Sequence, residues 1–134
     1  MNLYKNKIQM NENELAKIIV DLGFNIYKKL GAGLFENVYE QCLYHDIKKS
    51  GLQVERQKYL PIIYDDLKIE NAYKIDLLIE NKLIIEIKTV DVLNDIHKAQ
   101  ILTYLRMTGC KLGLLINFRT DFYKDSVKRI VNKL

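Results

Sequence analysis

Tyr73-Lys-Ile-Asp-Leu-Leu-Ile-Glu-Asn-Lys-Leu-Ile-Ile-Glu-Ile-Lys88 reads as two β-strands joined by a tight turn. Aliphatic and β-branched residues dominate on both sides of the polar break Glu80-Asn81-Lys82, which is the pattern of a hairpin. With those three residues as the loop, antiparallel pairing sets Ile79 opposite Leu83, Leu77 opposite Ile85 and Ile75 opposite Ile87. One face is then wholly aliphatic. On the other, Leu78 lies beside Ile84, Asp76 opposite Glu86, and Lys74 opposite Lys88. Facing residues on neighbouring strands have Cβ atoms roughly 4.5–5.5 Å apart, close enough for two carboxylates to share one divalent cation. Like charges directly opposite are destabilising, so a cation near the acids and phosphate near the lysines would offset the repulsion. The alternative is a solvated face on which the lysines answer the acids diagonally.

Asp76, nine intervening residues, then Glu86-Ile87-Lys88 resembles the active-site pattern of the PD-(D/E)XK nuclease superfamily. Gly33-Leu-Phe-Glu36-Asn-Val-Tyr39 matches the Gly-x-x-Glu-x-x-Tyr signature of the GxxExxY proteins within it. His97-Lys-Ala-Gln100-Ile-Leu-Thr-Tyr104 is similar to the Gln-x-x-x-Tyr helix that follows the catalytic strand in exonuclease-like branches, and Gly113-Leu-Leu-Ile-Asn117-Phe118 to the family's closing strand. The resemblance implies an α/β fold with a central mixed β-sheet flanked by helices, a restriction-endonuclease-like core. It also implies Asp76, Glu86, Lys88 and Glu36 as catalytic residues, with Asp76, Glu86, the backbone carbonyl of Ile87 and Glu36 as oxygen ligands of Mg²⁺ or Mn²⁺. Gln100, Tyr104, Lys74 and His97 would contact the substrate. Lys74 departs from the arginine common two residues before the Asp, and loses the bidentate grip on phosphate.

The composition is compatible with this picture. The chain has 134 residues, 49% of them hydrophobic, enough for one domain spanning 1–134 that buries a core without metal or disulfide staples. A net charge of +4 permits a polyanionic partner without demanding one. Cys42 and His45 make only half a zinc site, so Cys42 and Cys110 read as buried free thiols of a reducing compartment. No stretch reaches the ~18 apolar residues of a membrane span. A cytoplasmic protein without a membrane partner is expected.

Along the chain, residues 1–10 read as a loose arm. Asn11 and Glu14 form a capping-box pattern ahead of a helix with the stripe Leu15, Ile18, Ile19, Leu22, Ile26 and Leu30. Gly31-Ala-Gly33 breaks it. A second helix from about Leu34 to Ser50, closed by Gly51, would bury Phe35, Val38, Tyr39, Cys42 and Ile47, with Leu43, Glu36 and Glu40 at one margin. The signature favours Glu36 as the third acidic group beside Asp76 and Glu86. Val54–Ile63 reads as a strand whose end Pro61 demotes to an edge or bulge, and Asp65-Asp66 as a turn. A third helix over 95–108, with His97, Gln100 and Tyr104 in one row, links the Glu86 strand to a buried strand at 112–118. That is a parallel crossover, right-handed by rule. The tail from Asp125 suits either a helix or a last strand, with Lys124, Lys128, Arg129 and Lys133 as its basic edge.

The reading that follows is a divalent-metal-dependent nuclease with DNA as the expected substrate and a homodimer or partner protein as a source of selectivity. A non-catalytic nucleic-acid-binding or regulatory module with the same fold is the alternative.

Overall fold

A computed structural model describes residues 10–134. Helices α1 (Glu12–Leu30) and α2 (Glu36–Ser50) precede β1 (Val54–Tyr64), β2 (Leu67–Ile79) and β3 (Leu83–Lys88). Then follow α3 (Asp95–Thr108), β4 (Leu112–Asn117), a 3₁₀ turn at Tyr123–Ser126, and β5 (Val127–Val131). The strands form one mixed sheet in the order β1-β2-β3-β4-β5, antiparallel except for the β3–β4 pair. α3 makes the parallel crossover, and the tail resolves as the antiparallel edge strand β5.

Local chemistry sets the element ends. Asn11 and Glu14 form the reciprocal capping box, and Gly51 and Gly109 end α2 and α3 in the left-handed conformation. At the hairpin, the Lys82 amide donates to the Ile79 carbonyl at 2.9 Å while Glu80 and Asn81 both have positive φ, as in a primed turn. Pro61 sits where the β1–β2 register shifts, between Leu60 and Ile62. The expected arm at 1–10 lies outside the described residues except for Met10, which packs on the core and whose carbonyl accepts from Lys82 Nζ at 2.7 Å.

Two apolar clusters sandwich the sheet. Leu77, Ile79, Leu83, Ile85, Leu114 and Ile116 pack against Leu15, Ile19, Ile26, Leu43 and Ile47 of α1 and α2. On the other face, Ile75, Leu78, Ile84 and Leu115 pack against Ile101, Tyr104 and Leu105 of α3. As the expected Leu78–Ile84 pair implies, this face of the hairpin is apolar near its turn, and the acids lie at the far end. Ile18 and Leu22 of the expected α1 stripe are only half-buried and Leu30 is exposed, while Ala16 and Gly23 are buried.

Gly23 is buried because Tyr123 lies on it. The Tyr123 hydroxyl donates to the Val20 carbonyl at 3.0 Å, and a Cβ on Gly23 would stand 2.1 Å from that oxygen. Gly23→Ala must push the ring out of its packing with Phe118, and chemical denaturation should show a loss of about 1–3 kcal/mol despite the better helix propensity of alanine.

Besides the shift at Pro61, sheet alternation breaks in the middle of β1 and β2 together. In β2, Leu77 and Ile79 belong to the cluster under α1 and α2, but Ile75 belongs to the cluster under α3. In β1, Val54 packs with the first cluster and Leu60 with the second, although their spacing would put them on one face. Between them Gln57 adopts φ 57°, and it sits across from Asp76, between the pairs Arg56–Leu77 and Lys58–Ile75. Both strands change faces at the Gln57–Asp76 level, which is where the site lies.

Candidate active site

Asp76 and Glu86 are neighbours, but not as a backbone-paired couple. β2 and β3 pair only at Leu77–Ile85, Leu78–Ile84 and Ile79–Leu83. Beyond Leu77 and Ile85, each carboxylate takes an amide from the opposite strand. The Asp76 N–H donates to Glu86 Oε2 at 2.7 Å, and the Ile87 N–H donates to Asp76 Oδ2 at 2.9 Å. The expected pairs Ile75–Ile87 and Lys74–Lys88 are consequently absent from the ladder. Lys74 is exposed and pairs with Tyr59 of β1 instead.

Both acids are held in a dry place. Glu86 is 4% exposed and Asp76 half-buried. Burial pushes the Asp76 carboxyl up to about 7, and the nearby Glu40 carboxyl adds to the rise. Burial and the charge of Asp76 likewise push Glu86 well above the ordinary range. The Lys88 ammonium, two residues beyond Glu86 and half-buried, pulls both back down, so it stands within electrostatic reach of the pair.

The α2 carboxyl nearest Asp76 is Glu40, and Glu36 lies one turn earlier at the mouth of the site. α2 buries Tyr39, Glu40, Leu43 and Ile47, a face rotated from the expected stripe, while Phe35 is 84% exposed and Val38 also faces out. Glu40 is 5% exposed and lies within hydrogen-bonding reach of Asp76. Arg56 Nε donates to its Oε2 at 2.6 Å, and Gln57 Nε2 reaches both its oxygens at 2.7 Å. Glu36 is exposed one turn earlier, where its Oε2 accepts from the Thr89 amide at 3.3 Å, just past Lys88. Sequence periodicity misses Glu40 because it scores a carboxylate as outward. The available signal was Arg56-Gln57, a cation and an amide that could satisfy a buried acid.

Tyr39, last residue of the Gly-x-x-Glu-x-x-Tyr stretch, locks the loop before α2. Its hydroxyl donates to the Gly31 carbonyl and accepts from the Leu34 amide at 3.1 Å, and its ring stacks on Phe118 at 4.3 Å. The glycine loop is thereby tied to the end of β4.

On α3 the expected polar row divides. Tyr104 is buried with its ring edge-on to Tyr73, and its hydroxyl is pushed up by burial and by the charges of Glu86 and Asp76. Gln100 is half-buried one turn earlier. His97 completes a capping box, with its Nδ1 accepting from the Asn94 amide at 3.2 Å, so that nitrogen is committed to the helix end. Of the two cysteines expected to be buried free thiols, Cys110 is buried and Cys42 half-buried.

The buried Glu86 and half-buried Asp76 carboxylates, with backbone groups around them, form a hard, oxygen-only donor set. Among the described residues, no three or more His, Cys, Asp or Glu side chains are gathered into a metal cage. The residues present fit an ion such as Mg²⁺, which takes one or two carboxylates and keeps water and substrate oxygens for its remaining positions. They do not fit the closed N/S sets of structural zinc. Among the described residues no helix is long and apolar enough to cross a membrane.

Comparison with solved structures finds the chain similar to one described as "Crystal structure of SSO0001", with a TM-score of 0.55 and 20% identity. The similarity covers 73% of this chain and 50% of that one, so it spans about half of the solved chain's length and bears on the fold. Comparison with curated proteins finds no match. The sequence model of one family matches residues 13–130, a span that includes every strand but the last residue of β5 together with both carboxylates of the pair. This chain therefore belongs to the PD-(D/E)XK nuclease superfamily.

Proposed function

We propose that the protein is a divalent-metal-dependent nuclease that hydrolyses phosphodiester bonds of nucleic acid, with DNA as the first substrate to test. The observation that carries this reading is the splayed end of the β2–β3 hairpin. There a buried and a half-buried carboxylate lie side by side, each held by an amide of the other's strand, with Lys88 near them. Such an arrangement costs stability in a metal-free protein, and active sites are where perturbed acids of this kind gather.

In this reading Asp76 and Glu86 hold Mg²⁺ or Mn²⁺, with the Ile87 carbonyl as a further oxygen. The bound ion would supply a water of lowered pKa and charge neutralisation at the phosphate. Lys88 orients the attacking water or meets the charge that develops on the phosphate oxygens. Gln100 and Tyr104 position the strand being cut by hydrogen bonds to phosphate or sugar. Glu36 orders the Thr89 segment at the mouth of the site. Lys74 and His97 would act further out, as charge and hydrogen-bond donors toward the backbone of the substrate. Coupling to a second copy or a partner protein would supply selectivity.

The test is cleavage of single- and double-stranded DNA and RNA by the purified protein with Mg²⁺ or Mn²⁺, beside a chelator control. Cleavage that requires the ion establishes the reading and reveals the substrate class. Ion binding without cleavage of any substrate, by folded protein at high concentration, would replace it with a non-catalytic module.

A further inference from the structure

Gln57 is the most unusual backbone position near the site. A non-glycine residue at φ 57° inside a strand costs on the order of 1–3 kcal/mol and persists only where its surroundings demand it. The demand here is visible. By turning left-handed, Gln57 joins Arg56 on the α2 side of the sheet, and Lys58 and Leu60 move to the other side. Two successive side chains of β1 thus converge on one buried carboxylate.

Glu40 needs only Arg56 to offset its charge. The additional donors from Gln57 fix its orientation as well. Arg56 Nε and Gln57 Nε2 occupy Oε2, and Gln57 Nε2 also lies 2.7 Å from Oε1. Arg56 is itself braced, its second guanidinium nitrogen donating to Asn37 Oδ1 at 2.8 Å one turn back on α2. A carboxylate has about four acceptor sites. These contacts fix Glu40 beside Asp76, near enough for its charge to help raise the Asp76 carboxyl. Asp76 is the residue that Gln57 faces across the strands, and β2 changes faces there too.

We propose that Gln57 and Arg56 are positioning residues that act through Glu40 to set the orientation in which the Asp76 carboxylate receives a divalent cation. The proposal rests on the reading of Asp76 and Glu86 as ion ligands. Groups that orient ligands from behind are worth about 10–100-fold in metal affinity. A purely structural ion pair between α2 and β1 would require Arg56 and Glu40 but not the left-handed residue.

Gln57→Gly separates the two roles, because glycine adopts φ 57° without strain while removing the amide. Mn²⁺ affinity is measured by calorimetry and by the electron paramagnetic resonance of the free ion, with far-UV circular dichroism as the folding control. The wild-type protein should bind Mn²⁺, and Gln57→Gly should bind it about 10–100-fold more weakly while staying folded. Arg56→Lys keeps the charge but loses the planar fork, and should weaken binding in the same direction. Wild-type affinity retained in folded Gln57→Gly, or in folded Arg56→Lys should the glycine variant not fold, overturns the positioning role and leaves the site intact. Absence of Mn²⁺ binding in the wild type instead overturns the ion-site reading on which it stands.

Discussion

Asp76→Asn and Lys88→Ala are expected to abolish cleavage for different reasons, and Mn²⁺ binding should tell them apart. Asparagine is nearly isosteric with aspartate and keeps an oxygen to accept from the Ile87 amide, so the strand ends should hold their arrangement. It lacks the charge that attracts the ion. Cleavage should fall on the order of 10³-fold, as losing several kcal/mol of charge stabilisation would produce, and the rise in thermal stability on adding Mn²⁺ should vanish. Lys88→Ala removes a cation whose field reaches both acids. Its cleavage should also fall, by about 10²–10³-fold, but the site becomes more negative, so Mn²⁺ should bind as well as before or better. If Lys88→Ala lost ion binding while Asp76→Asn kept it, the roles assigned to the two side chains would be wrong.

The hairpin that carries these residues was legible because its determinants are local. The turn at 80–82, the pairs Leu77–Ile85 and Ile79–Leu83, the Asn11 cap and the glycine stops at 51 and 109 depend on residues within a few positions of one another. Belonging to the superfamily was legible for a similar reason, since Asp76, Glu86 and Lys88 keep their spacing within one hairpin. The orientation of α2 was not. Its stripe was drawn from apolar residues, but the helix turns a glutamate inward because Arg56 and Gln57, on another element, are there to receive it. Nor does strand periodicity reveal that Asp76 and Glu86 would bond to each other's backbone amides instead of standing as a cross-strand pair. A regular alternation rule assumes an unbroken ladder, and Gln57 and Asp76 break it.

The same break makes the metal-free protein sensitive to pH in a direction opposite to that of ordinary salt-bridged carboxylates. Asp76 titrates near pH 7 when folded against 3.8 as the ordinary value, and Glu86 is shifted upward as well. Between those values the folded protein holds protons that the unfolded chain has released. Stability from these groups is therefore fully present below about pH 4 and is lost as pH rises through about 7. The shift at Asp76 corresponds to on the order of 4 kcal/mol. Metal-free wild type should accordingly lose stability relative to Asp76→Asn as pH is raised from 5 to 8, when the two are compared by denaturant midpoint in chelator. Adding Mn²⁺ at pH 8 should restore the wild type and leave the variant unchanged, because the ion takes over from the protons the task of offsetting the two negative charges. A wild-type-minus-variant difference that stays flat across this range would mean that the acid pair is not under electrostatic strain, and would remove the physical reason for expecting a cation between Asp76 and Glu86.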